Sequence, residues 1–171
     1  MRVLDSLQSV DHRLLVLLQQ SQSRLAQHSR ALSRTADGYL YVLFGALIAL
    51  SPAGGETFLG HIVLAYALER VCYWVMKNSL RRKRPYDALP GFRSRIVASD
   101  EFSFPSGHTS AAFLFVTLVV LYLGPLALPL YLWAAAVGMS RVYLGVHFPS
   151  DTVMGALLGT AIALSTASWL L

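Results

Sequence analysis

Residues 109–139 read TSAAFLFVTLVVLYLGPLALPLYLWAAAVGM, a stretch of 31 residues without a charged side chain. A helix needs about 20 mainly apolar residues to cross roughly 30 Å of hydrocarbon, so this stretch approaches the length of two crossings. Gly124-Pro125 divides it, because glycine and proline together favour a tight turn over a continuous helix. The pattern therefore predicts two membrane-spanning helices, at 109–123 and 126–139.

Further apolar runs flank this pair of helices. They predict three more spans, at 39–52, 57–76 and 152–171. Over the whole chain of 171 residues, hydrophobic residues make up 55% and charged residues only 13%, and the mean hydropathy is +0.52. These values exclude an ordinary soluble domain. The expected fold is an all-α, polytopic membrane helical bundle with about five transmembrane helices.

The first 33 residues have a different pattern, in which leucines recur at helical spacing between charged and polar residues. The leucines are Leu4, Leu7, Leu14, Leu15, Leu18 and Leu25, and the arginines between them are Arg2, Arg13, Arg24 and Arg30. This pattern predicts an N-terminal amphipathic helix in the membrane interface, although a soluble packing helix or a flexible arm would fit it too. We therefore expect a single domain, 1–171, with an interfacial arm at 1–33 and a transmembrane bundle at 39–171.

The chain is basic, with a net charge of +5 and a sequence pI of about 9.7. In a soluble protein this balance would suggest a nucleic-acid partner. Here the basic residues lie between apolar spans, which favours an anionic lipid head group and argues against nucleic acid. The single cysteine, Cys72, cannot form an internal disulfide, and the sequence has no zinc-binding pattern.

Five spans place the N-terminal arm and the polar connections at 77–104 and 140–150 on one face of the membrane. Three polar clusters fall at that face: Lys77 with Arg84-Pro85, Pro105-Ser106-Gly107-His108, and Ser140-Arg141 with His147 and Asp151. Long connections between helices are usually either functional or disordered. We therefore expect the chemistry of the protein at this face.

The cations of these clusters, Lys77, Arg84 and Arg141, have no matching group of carboxylates beside them in the sequence. Brought together, they would repel one another unless an anion with a charge of about −2 lay between them, and phosphate is such an anion. Arginine offers it two parallel donors and lysine a point charge. Ser106 and Gly107 precede a helix, whose free N–H groups bind anions, so both are expected to contact the same phosphate.

Two histidines flank this expected phosphate site. His108 begins a helix and is placed to protonate the leaving oxygen as a general acid. Asp151 lies four residues after His147, so its carboxylate can accept a hydrogen bond from Nδ1 and leave Nε2 free to attack phosphorus. These residues predict phosphate hydrolysis through a phosphohistidine on His147. No metal or cofactor is expected, because the three cations neutralise the phosphate charge.

The three clusters resemble the signatures of the type 2 phosphatidic acid phosphatase superfamily, which also includes bacterial acid phosphatases and vanadium haloperoxidases. The signatures read K-x6-RP, PSGH and SR-x5-H-x3-D, and this chain has KNSLRRKRP, PSGH and SRVYLGVHFPSD in the same order. The resemblance implies a helical bundle in which His147 is the nucleophile, Asp151 its partner and His108 the acid. It also implies that phosphate is bound by Lys77, Arg84, Ser106, Gly107 and Arg141.

The span pattern is similar to that of the membrane branch of this family, which acts on lipid phosphates. The resemblance implies a metal-independent lipid phosphatase of the bacterial inner membrane, with phosphatidylglycerophosphate, phosphatidic acid, undecaprenyl diphosphate and lipid A 1-phosphate as candidate substrates. A phosphotransferase that passes the phosphate to another lipid is one alternative, and a non-catalytic module that binds anionic lipid is another. A haloperoxidase fits least, since such relatives are large and soluble.

Other basic residues have simpler interpretations. A rim beside lipid head groups is expected of Arg81, Arg82 and Lys83. A solvated loop is expected of Arg93 and Arg95, although these two could also meet the rest of a lipid head group. Arg70 lies two helical turns before Lys77 in the second span. It is expected either to support the site or to form a structural ion pair with another span, because isolated charges are costly in a membrane.

Two arguments disagree about which side of the membrane the polar face occupies. The lysines and arginines outside the second span concentrate at this face, and the positive-inside rule would place it in the cytoplasm. The lipid phosphatases of the family usually work on the periplasmic, luminal or extracellular side. Because catalysis itself needs several of these cations, we favour the periplasmic face, and the cytoplasmic face stays an alternative.

Overall fold

The computed structural model describes residues 2–19, 23–51 and 55–170. Within these ranges the chain forms helices and connecting loops, with no β-strand. The helices are α1 (Arg2–Gln19), α2 (Ser23–Arg34), α3 (Tyr39–Ala49), α4 (Gly55–Leu80), α5 (Pro85–Ala88), α6 (Gly107–Leu123), a 3-10 helix (Pro125–Ala127), α7 (Leu130–Tyr143) and α8 (Pro149–Leu170). The all-α fold expected from the sequence is confirmed.

Each of the five apolar runs coincides with one helix, namely α3, α4, α6, α7 and α8. Among the described residues, Thr57–Ala88 and Pro125–Tyr143 have the length and hydropathy of a membrane-spanning helix, whereas α3 and α6 are apolar but shorter. Large apolar side chains on these helices face outward, as Val42, Leu132 and Val153 do. Such a surface suits contact with lipid, and the number of membrane crossings stays a prediction.

Helix α6 lies at the centre of the bundle, packed against α4, α7 and α8. Its buried side chains are Thr109, Ser110, Ala112, Leu114, Phe115, Val116, Thr117, Leu118 and Val119. They surround the helix axis and do not form one stripe, as expected of a helix enclosed by others. The first turn of α6, which carries His108, is therefore held by packing from several sides.

Helices α6 and α8 approach so closely that backbone meets backbone at two glycines. A Cβ atom added at Gly159 would overlap the carbonyl oxygen of Ser110 and lie 2.8 Å from the nitrogen of Leu114. A Cβ atom at Gly155 would lie 2.5 Å from the carbonyl oxygen of Ser106. These two glycines form the G-x-x-x-G pattern that permits close helix pairs in membranes, a signal present in the sequence.

Two helices extend beyond the spans predicted from the sequence and carry polar residues with them. Helix α4 continues to Leu80 and holds Lys77 in its last turn. Helix α7 begins only at Leu130, because Pro129 occupies its N-cap, and it continues through Arg141 to Tyr143. Both cations therefore lie on helical backbone, whereas the sequence placed them in the polar connections between spans.

The N-terminal arm consists of two helices, α1 and α2, where the sequence predicted one. The leucine stripe is interrupted after Leu18, because residues 19–24 are all polar. Helix α1 packs against α7 and α8, and α2 packs against α7. Leu15 is buried with Val142 and Phe148, so this arm covers the polar end of the bundle. The side chains of Leu4, Leu7 and Leu25 lie outside the described residues, and the interfacial position of the arm stays a prediction.

The glycine contact between α6 and α8 leads to a stability prediction. Replacing Gly159 with alanine should lower the free energy of unfolding by about 1–3 kcal/mol, since extra atoms in a tightly packed contact cost roughly this much. Unfolding of the purified protein in detergent, followed by circular dichroism, measures the change. The matched control is Gly60→Ala in α4, where an added Cβ meets no atom within 4 Å. Equal stabilities of the two variants would contradict the contact.

Candidate active site

Residues from all three polar clusters line one cavity at the polar end of the bundle. The cavity has a volume of ≈ 540 Å³, and the expected site residues along its wall are Arg84, Gly107, His108, Arg141 and His147. His108 and His147 therefore face the same space, as the attack on a single phosphorus atom requires. The other expected site residues, Lys77, Ser106 and Asp151, are buried beside this cavity.

His147 lies in the loop between α7 and α8, with Asp151 in the first turn of α8. Both side chains are buried, and Nδ1 of the imidazole is 3.7 Å from Oδ2 of Asp151. This distance is longer than a hydrogen bond, and Nδ1 has no hydrogen-bond partner among the described residues. Asp151 therefore acts on His147 through its charge.

The imidazole of His147 is held in its neutral form. Burial lowers its pKa to about 4, and the positive charges of Arg141 and Arg84 act in the same direction against the opposing effect of Asp151. At neutral pH the ring therefore carries an unprotonated nitrogen. That form is the one a nucleophilic histidine needs.

Asp151 is fixed by contacts with groups other than His147. Its Oδ2 atom accepts a hydrogen bond of 2.8 Å from the backbone N–H of Phe148. Its Oδ1 atom accepts one of 2.6 Å from Arg82, which also donates to Ser150 at 2.7 Å and to Asp11 at 2.7 Å. The expectation that Arg82 belongs to an outer rim beside lipid head groups is therefore wrong, whereas Arg81 and Lys83 are exposed, as such a rim requires.

The difference between Arg82 and its neighbours follows from the local backbone. Helix α4 ends at Leu80, Arg81 has a left-handed backbone with φ 45°, and no helix forms again until Pro85. In a non-helical segment successive side chains point to opposite sides, much as in a strand. Arg82 and Arg84 consequently turn inward, while Arg81 and Lys83 face outward.

His108 has a carboxylate partner that the sequence did not indicate. Its Nε2 atom lies 2.9 Å from Oδ1 of Asp37, in the turn between α2 and α3. Burial and the positive charge of Arg141 lower the pKa of His108 below its ordinary value, and the Asp37 carboxylate opposes them. Asp37 thereby favours the protonated form of the ring, which is the form a general acid needs. Asp37 appears in the sequence only as a polar residue before an apolar run, so no fixed spacing could connect it with His108.

Two of the expected phosphate ligands meet a carboxylate in the structure. Lys77 Nζ donates to Asp100 Oδ2 at 2.6 Å, and the Arg84 guanidinium donates to Asp100 Oδ1. The hydroxyl group of Tyr73 lies 2.5 Å from both Lys77 Nζ and Asp100 Oδ2. The expectation that these cations have no carboxylate beside them is therefore wrong, because Asp100 joins them only in the folded chain.

Asp100 remains ionised over the whole neutral range. Partial burial alone would raise its pKa, but hydrogen bonds from Lys77 and Tyr73 and the charges of Lys77 and Arg84 hold the pKa at about 2. The carboxylate thus balances part of the positive charge at this wall of the cavity. A phosphate bound there would share Lys77 and Arg84 with it.

The third cation, Arg141, is positioned by the arm. Its Nη1 atom donates a hydrogen bond of 2.6 Å to the hydroxyl oxygen of Ser33 on α2. Its Nε atom is buried and has no hydrogen-bond partner in the part of the chain that the structure describes. A buried donor without a partner is costly, and on a cation that lines this cavity it suits an anionic ligand.

The PSGH segment is tied to the start of α8. The backbone N–H of Ser106 donates to the carbonyl oxygen of Asp151 at 3.0 Å. The hydroxyl group of Ser106 is buried and pairs with that of Thr109 at 2.9 Å, so its expected contact with phosphate stays a prediction. Gly107 lines the cavity, and a Cβ atom there would lie 3.0 Å from the Tyr73 ring. Gly107 therefore makes room for Tyr73, which in turn holds Asp100.

Arg70 lines the site and forms an ion pair, but its partner belongs to the same helix and not, as one of the two expectations had it, to another span. Its guanidinium pairs with the adjacent Glu69 at 2.5 Å and lies 4.3 Å from the centroid of the Tyr73 ring. Arg70 also lines the cavity. It therefore adds positive charge near the site while neutralising the buried Glu69 carboxylate.

An apolar groove continues from the cavity along α3 and α4. It has a volume of ≈ 540 Å³ and is lined by Gly38, Tyr41, Val42, Gly45, Ala46, Leu59, Ile62, Val63 and Tyr66. Gly38, Tyr41 and Tyr66 line the polar cavity as well. The site thus joins a cationic compartment to a hydrocarbon-like one.

Comparisons with known proteins agree with this arrangement. A family model described as the PAP2 superfamily matches residues 58–171. The chain is 34% identical over 107 residues to the bacitracin transport permease protein BcrC of Bacillus licheniformis, over 61% of this chain and 51% of that protein. It is 34% identical over 108 residues to the putative undecaprenyl-diphosphatase YbjG of Escherichia coli, over 61% and 52% respectively.

A solved structure shows the same fold. LpxE of Aquifex aeolicus matches with a TM-score of 0.78 and 26% sequence identity, over 91% of this chain and 93% of that one. The chain spans about half the length of the curated relatives it matches. The family model covers well over half of this chain, and its matched region contains the lysine–arginine, PSGH and histidine–aspartate motifs. The chain therefore belongs to the PAP2 superfamily, the type 2 phosphatidic acid phosphatases.

Proposed function

We propose that this protein is an integral membrane phosphatase that removes a phosphate group from a lipid through a phosphohistidine on His147. One observation carries the proposal: two histidines, each with a carboxylate beside it, line one cavity together with Arg84 and Arg141. The names of relatives such as the putative undecaprenyl-diphosphatase agree with lipid phosphate chemistry.

The first half of the reaction transfers the phosphoryl group to the protein. Arg84, Arg141 and Lys77 neutralise the phosphate oxygens, and Nε2 of His147 attacks phosphorus in line with the leaving oxygen. The bond from phosphorus to that oxygen breaks as His108 donates it a proton. Asp151 stabilises the positive charge that develops on the imidazole.

The second half regenerates the protein. His108, now neutral, takes a proton from a water molecule, whose oxygen attacks the phosphohistidine. The phosphorus–nitrogen bond breaks, inorganic phosphate leaves, and His147 returns to its neutral form. The side-chain cations supply the charge neutralisation throughout, so we propose a metal-independent reaction that needs no cofactor.

The apolar groove suggests how a lipid is held. Its lining side chains are almost entirely apolar, and it opens into the catalytic cavity past Tyr41 and Tyr66. A lipid that arrives laterally from one leaflet can place its phosphate among the cations and leave its hydrocarbon chain between α3 and α4. Phosphatidylglycerophosphate, phosphatidic acid, undecaprenyl diphosphate and lipid A 1-phosphate all have this combination of groups.

The covalent intermediate leads to the first functional prediction. His147→Ala should lower the rate of phosphate release by roughly 10³-fold or more, since the nucleophile is removed. His108→Ala should retain the attack on a lipid diphosphate, whose leaving group needs little protonation, and accumulate an acid-labile phosphoprotein. Purified variants are assayed against a panel of lipid phosphates in the presence of EDTA. The control is His28→Ala, an exposed histidine on α2, and phosphate release by His147→Ala at the wild-type rate would exclude the mechanism.

The contact between Arg82 and Asp151 leads to a second prediction, about positioning. Arg82→Gln loosens the Asp151 carboxylate that stabilises the charge on His147, so kcat should fall about 10–100-fold while KM changes little. Asp11→Asn should act in the same direction and more weakly, because Asp11 contacts Arg82 and Ser150 and makes no contact with Asp151. Lys83→Gln, an exposed neighbour, is the matched control. An equal fall of kcat in Lys83→Gln, or a change in KM alone in Arg82→Gln, would show that Arg82 does not position the catalytic groups.

We further propose that the protein lies in the bacterial inner membrane with its catalytic face in the periplasm. The test uses a Cys72→Ser background that carries either Arg93→Cys, in the connection beside the site, or Leu126→Cys, in the exposed turn between α6 and α7. A membrane-impermeant thiol reagent should label position 93 in intact spheroplasts, and position 126 only after permeabilisation. The reverse pattern would place the catalytic face in the cytoplasm.

A further inference from the structure

A second cavity of ≈ 410 Å³ adjoins the catalytic one on the side of the arm. Its polar wall includes Arg30, Arg34, Asp37, Arg95, His108 and Arg141. Four arginines therefore line one concave space, where Asp37 is the one carboxylate among the described lining residues, and this carboxylate is already paired with His108. So much positive charge in one place favours a phosphate ligand, which arginine binds through two parallel donors.

The wall of this cavity is built from three separate parts of the chain that hold one another. Arg30 and Arg34 lie one turn apart on α2, and the Arg30 guanidinium donates to the backbone carbonyl of Arg95. The N–H of Arg95 donates to the carbonyl oxygen of Leu144 at 2.9 Å, and its guanidinium lies 4.5 Å from the centroid of the Tyr143 ring. Arg95 is therefore part of a formed wall, and the expectation that it belongs to a solvated loop is wrong.

The two cavities share His108 and Arg141, but His147 lines only the catalytic one. An in-line attack by His147 places the leaving oxygen on the opposite side of phosphorus, next to the general acid His108. The group attached to that oxygen consequently points toward the arginine cavity. Asp37 borders this cavity and the next residue, Gly38, borders the apolar groove. A leaving group can thus place a polar part in the arginine cavity and its hydrocarbon chain in the apolar groove.

We propose that the arginine cavity binds a second phosphate group, carried by the leaving part of the substrate, and makes the protein selective for lipids with two phosphates. The inference rests on the proposed function. Two kinds of lipid share this chemistry: a lipid diphosphate, and a phosphate monoester whose leaving alcohol carries a phosphodiester. When the bond between phosphorus and the leaving oxygen breaks, the leaving oxygen keeps the electron pair. In a lipid diphosphate this oxygen belongs to the departing lipid monophosphate, and the arginines neutralise the negative charge that the monophosphate gains.

Binding of small ligands tests the cavity independently of turnover. Calorimetry on the full chain in detergent compares methylenediphosphonate, which cannot be hydrolysed, with methylphosphonate. The wild type should bind the diphosphonate at least about tenfold more tightly, as expected of added charged hydrogen bonds. Arg34→Gln should remove this advantage and leave the affinity for methylphosphonate within about twofold. Arg93→Gln, an exposed arginine of the same connection as Arg95, should keep the advantage.

Equal affinities of the wild type for the two ligands would overturn the inference. So would an Arg34→Gln variant that still binds the diphosphonate more tightly than methylphosphonate, or one that binds both ligands more weakly by the same factor. If the diphosphonate binds as expected but no lipid releases phosphate, the proposed function fails and the anion cavity stands.

Turnover then distinguishes the two sources of the second phosphate. The kcat/KM for farnesyl diphosphate is compared with that for farnesyl phosphate, and the value for phosphatidylglycerophosphate with that for phosphatidic acid. A preference of about tenfold or more within one pair, lost in Arg34→Gln and kept in Arg93→Gln, identifies the source. Phosphate release without a preference in either pair rejects the selectivity while leaving the phosphatase activity intact.

Discussion

The site depends on the backbone contact between the first turns of α6 and α8. The N–H of Ser106 donates to the carbonyl oxygen of Asp151, and Gly155 leaves room for the carbonyl oxygen of Ser106. His108 follows Ser106 by two residues, and His147 precedes Asp151 by four. Because this main-chain contact holds the starts of the two helices side by side, it brings His108, the proposed acid, and His147, the proposed nucleophile, to one cavity. Any side chain at Gly155 or Gly159 would push these starts apart.

The charged groups of the site are organised by the N-terminal arm as much as by the bundle. In the arm, Asp11 accepts a hydrogen bond from Arg82, and Ser33 accepts one from Arg141. In the turn that follows the arm, Asp37 pairs with His108. An amphipathic segment that only rested on the membrane surface would need none of these contacts. The arm is therefore better understood as a wall of the active site, whatever its depth in the membrane. Its exposed leucines and valines remain available for lipid contact.

The sequence predicted the parts of the structure that obey a short-range rule. Five apolar runs became five helices, and three motifs with fixed spacing supplied the two histidines and the cations around them. The partners that it missed, Asp37, Asp100 and Asp11, come from separate segments and join the site only after folding. No spacing within the chain relates Asp37 to His108, which lies 71 residues later.

For some of the features that were not predicted, the sequence nevertheless contains a signal. The segment 81–84 lies between a helix end and the proline that begins α5, and its position could have indicated an alternating pattern of inward and outward side chains. That pattern separates Arg82 and Arg84 from Arg81 and Lys83. The interruption of the leucine stripe by residues 19–24 likewise indicated two arm helices. The close pairing of α6 with α8 could also have been inferred from Gly155 and Gly159.

The proposed mechanism makes opposite demands on the charge around His147 before and after the attack, and the surrounding residues meet both. A nucleophilic imidazole must be neutral before the reaction, yet it needs a nearby anion once it becomes positively charged. An unpaired Asp151 would favour early protonation of the ring. Arg82 and the Phe148 N–H share the negative charge of Asp151, and burial with Arg84 and Arg141 keeps the pKa of His147 at about 4. In the proposed mechanism, a phosphate that neutralises Arg84 and Arg141 would increase the influence of Asp151 on the ring. The substrate would then itself strengthen the stabilisation of the charge that forms in the attack.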